Sequence, residues 1–347
     1  MQSAPEAIIY CEGAYQNTYG KTAHGLMRRS KRFSIRAVID STASPADAGE
    51  LLDGIKNSIP VVNSLSQAQQ YLSTNVERYL VIGLATDGGV LPATAHPVIR
   101  SAITAGMHVI CGLHDYLQEQ QEFLELALKH DVKLVDVRKP PHPKNLHFFS
   151  GKISEVQSKK VAVLGTDSAI GKRTTAWKIV EGLEASGRKA ELIGTGQTAW
   201  LQGAKFSIVL DALPNDFVTG ELEHAAWLAW NEMKPDYLVV EGQGSLLHPA
   251  FPGGFEILAA IKPDFIILQH APKRTEYDGF PYRLHSLKQQ IDALEAIAEK
   301  KVTAITINHE KMTKAEVEAW AKTTENELKI PCIDMLWMNP QSILKLL

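Results

Sequence analysis

The chain is short of cysteine, of net charge and of long hydrophobic runs, and each shortage removes a class of protein. Cys11, Cys111 and Cys332 are the 3 cysteines among 347 residues, too few and too scattered for a disulfide framework or a thiolate zinc site. They read as small buried apolar side chains, and a reducing cytoplasm is the expected compartment. A net charge of −3 disfavours a general nucleic-acid binder, which carries a marked basic excess. No apolar stretch approaches the roughly 20 residues of a membrane-spanning helix. Met1 to Glu6 lacks the basic and apolar regions of a signal peptide. The first strand is not followed by Gly-x-Gly-x-x-Gly, which disfavours a nicotinamide-cofactor domain. A His-rich or Cys-x-x-Cys segment of the kind that delivers metals is also missing.

What is present is alternation. Hydrophobic residues make up 45% and charged residues 22%, a globular profile on a chain long enough for two cores. Short apolar runs separated by amphipathic stretches predict parallel α/β units. In the first half, strands are expected at Ala7–Tyr10, Arg36–Asp40, Tyr79–Gly83, His108–Gly112 and Lys133–Val137, with helices at Pro97–Ala105 and Gln118–His130. The proline-rich stretch Lys139–Asn145 then breaks regular structure. The pattern restarts with strands at Val161–Leu164, Ala190–Ile193, Tyr237–Val240, Phe265–Leu268 and Val302–Ile307. A last helix is expected at Lys314–Leu328, followed by a short edge strand near Cys332. The predicted architecture is α/β, with a Rossmann-like domain over residues 1–150 and a P-loop NTPase-like domain with a mostly parallel sheet over 151–347.

The chemistry concentrates in the second half. Gly165-Thr166-Asp167-Ser168-Ala169-Ile170-Gly171-Lys172 follows a strand directly and leads into an amphipathic helix from about Arg173 to Ala185, with Ser186-Gly187 as its stop. The glycines let consecutive N–H groups turn toward an anion, the helix end adds partial positive charge, and Lys172 adds a full one. The loop is expected to bind the phosphates of a nucleotide or cofactor through Gly165 to Thr175. Five residues separate its glycines, where the common pattern has four. That spacing, and the opening Gly-Thr-Asp, resembles the dethiobiotin synthetase loop. Arg173 stands where an NTPase carries the Ser or Thr that holds magnesium, and Thr174 serves that purpose only if the loop is re-phased.

Other polar groups follow strand ends, where a doubly wound sheet opens its crevice. Glu241-Gly242-Gln243-Gly244-Ser245 resembles the Glu-Gly-x-Gly segment of dethiobiotin synthetase-like enzymes, which makes Glu241 a candidate metal ligand or general base. His248 and His270 are further catalytic candidates. Gln197, in Gly194-Thr195-Gly196-Gln197-Thr198, and Ser245 are candidate substrate contacts. Asp216 caps a helix or binds substrate. Lys273 and Arg274 are candidate anchors for a carboxylate, Arg274 through its bidentate fork. In the first half Asp40, Asp87-Gly88-Gly89, His114 and Gly20-Lys21-Thr22 carry weaker signals, equally suited to turns and caps.

Taken together, the loop with its Lys172-Arg173-Thr174-Thr175 ending, Gly194 to Thr198, Asp211 to Glu221, Val240 to Pro249 and the His270 segment resemble a bacterial family long labelled as a domain of unknown function. Lys21-Thr22-Ala23, Gly112-Leu113-His114 and Asp136-Val137-Arg138 extend the resemblance over nearly the whole chain. Characterised members are D-glutamate N-acetyltransferases that use acetyl-CoA. The resemblance implies a small amino-acid substrate and acetyl-CoA as donor; the chemistry of that transfer makes Glu241 or His248 the expected general base and the loop the phosphate contact, and Arg173 at the usual metal-binding position leaves no resident metal expected. The low net charge and the lack of a long apolar run leave no nucleic-acid or membrane partner expected, and a homo-oligomer is the expected assembly. Two other readings stay open. One is a magnesium-ATP-dependent ligase or kinase of the dethiobiotin synthetase class, with Glu241 and Thr174 on the metal. The other is a non-catalytic nucleotide-binding regulator.

Overall fold

In the computed structural model, which describes residues 4–347, the chain forms two units. The first comprises the chain up to Pro141 together with Gln197–Gly203, and the second comprises His142–Gly196 and Ala204–Leu347. The sequence reading kept 151–347 continuous. The structure instead assigns the short helix Gln197–Gln202 to the first unit, because Leu201 is fully buried in that unit's core and Trp200 packs against it. Gln202 adds a hydrogen bond from Nε2 to the Gly25 carbonyl.

The first sheet contains β1 (Glu6–Tyr10), β2 (Ser34–Ile39), β3 (Ala46–Asp47), β4 (Pro60–Val62), β5 (Arg78–Ile82), β6 (His108–Cys111) and β7 (Leu134–Asp136). Their order is β3-β4-β2-β1-β5-β6-β7, parallel except where β3 runs antiparallel to β4. β1 is apolar along its length because it is buried on both faces, with Ala7, Ile8 and Ile9 fully covered. β3 and β4 are too short to register as apolar runs, and the sequence gives no sign of them.

The second sheet contains β8 (Lys159–Gly165), β9 (Ala190–Gly194), β10 (Phe206–Ser207), β11 (Tyr237–Glu241), β12 (Phe265–His270), β13 (Val302–Ile307) and β14 (Cys332–Ile333). The order is β10-β9-β11-β8-β12-β13-β14, parallel throughout. β8 is central, and the chain winds outward from it in both directions. Its C-terminal end is therefore the switch point at which such sheets open a ligand crevice.

Helices pack on both faces and their ends are encoded locally. Lys314–Leu328 begins with a Thr313/Glu316 capping box, and Leu287–Ala298 with a Ser286/Gln289 one. Lys172–Ala185 ends where Gly187, at φ +82°, turns the chain back. Among the described residues no helix is long and apolar enough to cross a membrane.

Candidate functional site

The phosphate loop fills the turn between β8 and the helix Lys172–Ala185. Gly171 caps that helix at φ +94°, a backbone angle that side chains rarely adopt, and Ala169 sits at φ +50°. The first backbone N–H groups of a helix have no intrahelical partner, and together with the helix dipole they make this end of the helix suited to an anion. Lys172 Nζ is held beneath by the carbonyls of Asp167 (2.6 Å) and Gly244 (2.8 Å). The loop is pinned from outside as well. Gln290 Nε2 donates to Thr166 O (3.0 Å), Asn308 Nδ2 to Ile170 O (2.9 Å), and Ser168 Oγ to Asp278 Oδ2 (2.7 Å).

One residue of helix turns a side chain by about 100°, and the three residues after Lys172 separate accordingly. Thr175 points into the core, where its hydroxyl and that of Thr306 both donate to Gln269 Oε1 at 2.5 Å. Thr174 is half-buried. Arg173 lies on the side of β11, with Nη1 3.7 Å from Glu241 Oε1.

Glu241 ends β11 with a buried side chain. Its Oε2 is closed to solvent and has no hydrogen-bond partner among the described residues. Burial pushes this carboxyl up from its ordinary value, against the opposing charges of Arg173 and Lys172. The backbone beside it is tightly constrained. Gly244 sits at φ +35°, and a Cβ there would lie 1.9 Å from the Phe251 carbonyl, so no other residue fits. Thr195 donates to the Glu241 carbonyl at 2.8 Å and receives Gln243 Nε2 at 2.7 Å. Ser245 Oγ, four residues along, is also buried without a partner among the described residues.

His248 is enclosed by the rings of Phe251 and Tyr277, each 5.0 Å away, and Phe280 at 5.7 Å. Its Nδ1 accepts the backbone N–H groups of Ala250 (3.1 Å) and Phe251 (2.9 Å). Two donors at one nitrogen demand its lone pair, so the ring proton resides on Nε2. Burial also lowers the pKa of this histidine, against the pull of Asp167 and Asp278. His248 thus presents an N–H and not a lone pair, which suits a hydrogen-bond donor and not a general base. Nε2 lies 3.3 Å from Asp167 Oδ1 but outside hydrogen-bond geometry.

Asp167 is the loop's internal anchor. It is fully buried, receiving Arg274 Nη1 (2.7 Å) and the N–H groups of Ser168 (2.7 Å) and Asp278 (3.2 Å). Arg274 turns its fork the other way, placing Nε (2.8 Å) and Nη2 (2.9 Å) on Glu310. Nη1 also reaches Ser168 O at 2.8 Å. The fork expected for a substrate carboxylate is therefore occupied by Glu310, and Arg274 acts as a brace behind the loop. Lys273 points to the surface and pairs with Glu316 at 3.0 Å. His270 is buried, and burial brings its pKa down to about 4. It faces Thr166 Oγ1 at 2.9 Å, supporting the loop from below as a neutral ring.

Gln197 belongs to the first unit and Asp216 is exposed in the first turn of the helix Asn215–Met233, whose N-cap is Pro214. The sequence places Asp278 at the end of the polar His270 segment without a role of its own, and sequence reasoning missed Gln290, Asn308 and Glu310. Asn308 and Glu310 follow the C-terminal end of β13, and that position was the available signal. Gln290 lies inside a helix and left none.

Two domain descriptions match the chain: a "domain of unknown function (DUF1611_N) Rossmann-like domain" over residues 41–140 and a "domain of unknown function (DUF1611_C) P-loop domain" over 147–344. A curated relative from Pseudoalteromonas sp, named D-glutamate N-acetyltransferase, is 29% identical over 263 residues, covering 74% of this chain and 77% of the relative. A relative of the same name from Tritonibacter scottomollicae is 29% identical over 262 residues, covering 74% and 76%. The crystal structure of a DUF1611 family protein from Anabaena variabilis superimposes with a TM-score of 0.90 at 28% identity, over 99% of this chain and 98% of that one.

Proposed function

The chain belongs to the DUF1611 family of paired Rossmann-like and P-loop domains, and from that premise we propose that it is an N-acetyltransferase, moving acetyl from acetyl-CoA to the amine of D-glutamate or a similar acidic amino acid. The names of the two curated relatives support the activity. The observation that carries the chemistry is Glu241, a buried carboxylate with a raised pKa and an unsatisfied oxygen beside a phosphate cradle.

The residues suit this reaction. Coenzyme A carries phosphates, and the loop amides with Lys172 offer them an anion site. The acceptor arrives as an ammonium and must lose a proton before it can attack. Glu241 Oε2 takes that proton, and its raised pKa makes it a better base near neutrality. The amine nitrogen then bonds to the thioester carbonyl carbon, the carbon–sulfur bond breaks, and the sulfur leaves as coenzyme A thiol after taking up a proton. His248 Nε2–H is the donor suited to the oxygen on which charge develops. No phosphoanhydride is broken. The Arg173 guanidinium beside Glu241 disfavours a divalent cation at that carboxylate, which weighs against the ligase or kinase reading.

The test measures thiol release from acetyl-CoA with D-glutamate, mass detection of the N-acetyl product, and phosphate release from magnesium-ATP in parallel. Thiol and product without ATP are expected. Phosphate release that depends on the acceptor, with no thiol, overturns the reading in favour of the ATP-dependent enzyme. Tight nucleotide binding without turnover on any acceptor overturns it in favour of a regulator.

A further inference from the structure

The C-terminal end of β14 carries a second built arrangement, apart from Glu241 and His248. Asp334 follows that strand, is buried, and uses both carboxylate oxygens. Oδ1 accepts the backbone N–H groups of Leu336 (2.8 Å) and Trp337 (3.0 Å), and Oδ2 lies 2.6 Å from His309 Nδ1. A carboxylate only accepts, so Nδ1 carries the proton and the imidazole is held in one orientation. In that orientation it lies flat on Trp337, with ring centres 3.6 Å apart and planes 9° apart. One buried acid thus fixes both an imidazole and the backbone of the indole it covers. Core packing does not account for the pair. Met338 packs against the second unit's core, while Leu336 and Trp337 stay exposed, Trp337 at 37%. An aromatic ring left in solvent contributes little of its burial energy, so fixing it there serves something other than stability.

Its place in the sheet suggests what that is. β8, β12, β13 and β14 are parallel neighbours, so the pair lies on the same edge of the sheet as the phosphate loop. The connection is direct: Asn308, the residue before His309, donates from Nδ2 to Ile170 O of the loop at 2.9 Å. We propose that Trp337, on the face opposite His309, is the purine subsite that goes with the loop, stacking the adenine of the nucleotide whose phosphates the loop holds. Trp337 contacts the base, and Asp334 and His309 are positioning residues that hold the indole in place before the ligand arrives. Less side-chain freedom is then lost on binding. The inference rests on the loop holding a nucleotide, which the N-acetyltransferase and ATP-dependent readings share. Under the first reading the base is the adenosine end of coenzyme A, and under the second it is that of ATP.

The test measures Kd by calorimetry for coenzyme A, ADP and inorganic pyrophosphate on the wild-type protein, Trp337→Ala and Trp337→Phe, with thermal melting and native mass recorded for each. Trp337→Ala should raise the Kd of coenzyme A and of ADP at least about 5-fold. Pyrophosphate has no base, and its Kd should stay within about 2-fold. Trp337→Phe should recover part of the loss. Coenzyme A should also quench the indole emission of the wild type by an amount that Trp337→Phe lacks. Coenzyme A bound more tightly than ADP by the wild type supports the subsite as the acetyl donor's, and the reverse order supports it as that of ATP. Acetyl transfer with a coenzyme A Kd that Trp337→Ala leaves unchanged overturns the subsite while the function reading stands. No transfer, with ADP binding weakened by that variant, overturns the function reading and supports the subsite. An equal loss for all three ligands, or no nucleotide binding to the wild type, overturns it. So does a lower native mass for Trp337→Ala with unchanged Kd values, which assigns this face to a second copy of the chain.

Discussion

Each unit ends strands on buried acids, and the two units use them in opposite ways. In the first, Asp40 follows β2 and accepts hydrogen bonds from the backbone of Gly13, Tyr15 and Thr42 and from the Thr42 hydroxyl. Burial works against its charge, yet these bonds outweigh it and hold the carboxyl below its ordinary value. Asp136, ending β7, receives the N–H groups of Leu117 and Gln118 at 2.9 Å each. Both acids staple loops to the sheet. In the second unit Glu241, at the same kind of position, keeps a buried oxygen with no partner among the described residues. A buried carboxylate left unsatisfied costs stability that a fold tolerates where a ligand supplies the partner. On the proposed reading, the contrast separates acids that hold the fold from an acid held for chemistry.

Four measurements break or sharpen that contrast. The largest effect is expected from Glu241→Gln, which should lower kcat by about 100- to 10,000-fold with little change in melting temperature. In the wild type the rate should fall as pH drops through the raised pKa of Glu241, and that limb should vanish in the variant. Full turnover by the variant removes Glu241 from the base role. Next, Arg274→Ala leaves Asp167 buried without its cation and should cost about 3–5 kcal/mol of stability, read by denaturant titration. A stable variant with a raised D-glutamate KM would return Arg274 to substrate binding.

His270 comes third. Its folded pKa lies at about 4, below the unfolded value of 6.5, so the unfolded chain binds the extra proton first. The stability it contributes is complete above about pH 6.5 and is lost as pH falls toward 4, by up to about 3 kcal/mol. His270→Gln should flatten that part of the stability–pH curve. The smallest effect is expected from Asp40→Asn, about 1–2 kcal/mol of stability with kcat unchanged, read by thermal melting and thiol release. A large loss of turnover there would show that the first unit's acids are not purely structural.

Much of this was legible before folding. The helix expected at Lys314–Leu328 and the strand at Val302–Ile307 match the structure residue for residue, because a capping threonine and a doubly buried apolar run are written locally. The segment Gln197–Gln202 was not legible, since six residues between glycines carry too little periodicity to show which core they join. Arg274 misled for a different reason. An arginine after a crevice-side strand end has the right chemistry for a carboxylate, and nothing nearby in sequence announces Glu310, 36 residues later, as the carboxylate it takes.

The sequence by itself determined the two α/β units and the phosphate loop, because periodicity, glycine placement and one lysine are local properties of the chain. Which polar groups remain available was decided by tertiary structure alone. Satisfaction of a buried donor or acceptor depends on partners brought from distant strands: Glu310 to Arg274, Gln269 to Thr175, and none among the described residues to Glu241 Oε2. The phosphate loop was written in one stretch of sequence, and the chemistry beside it depends on what the fold leaves unpaired.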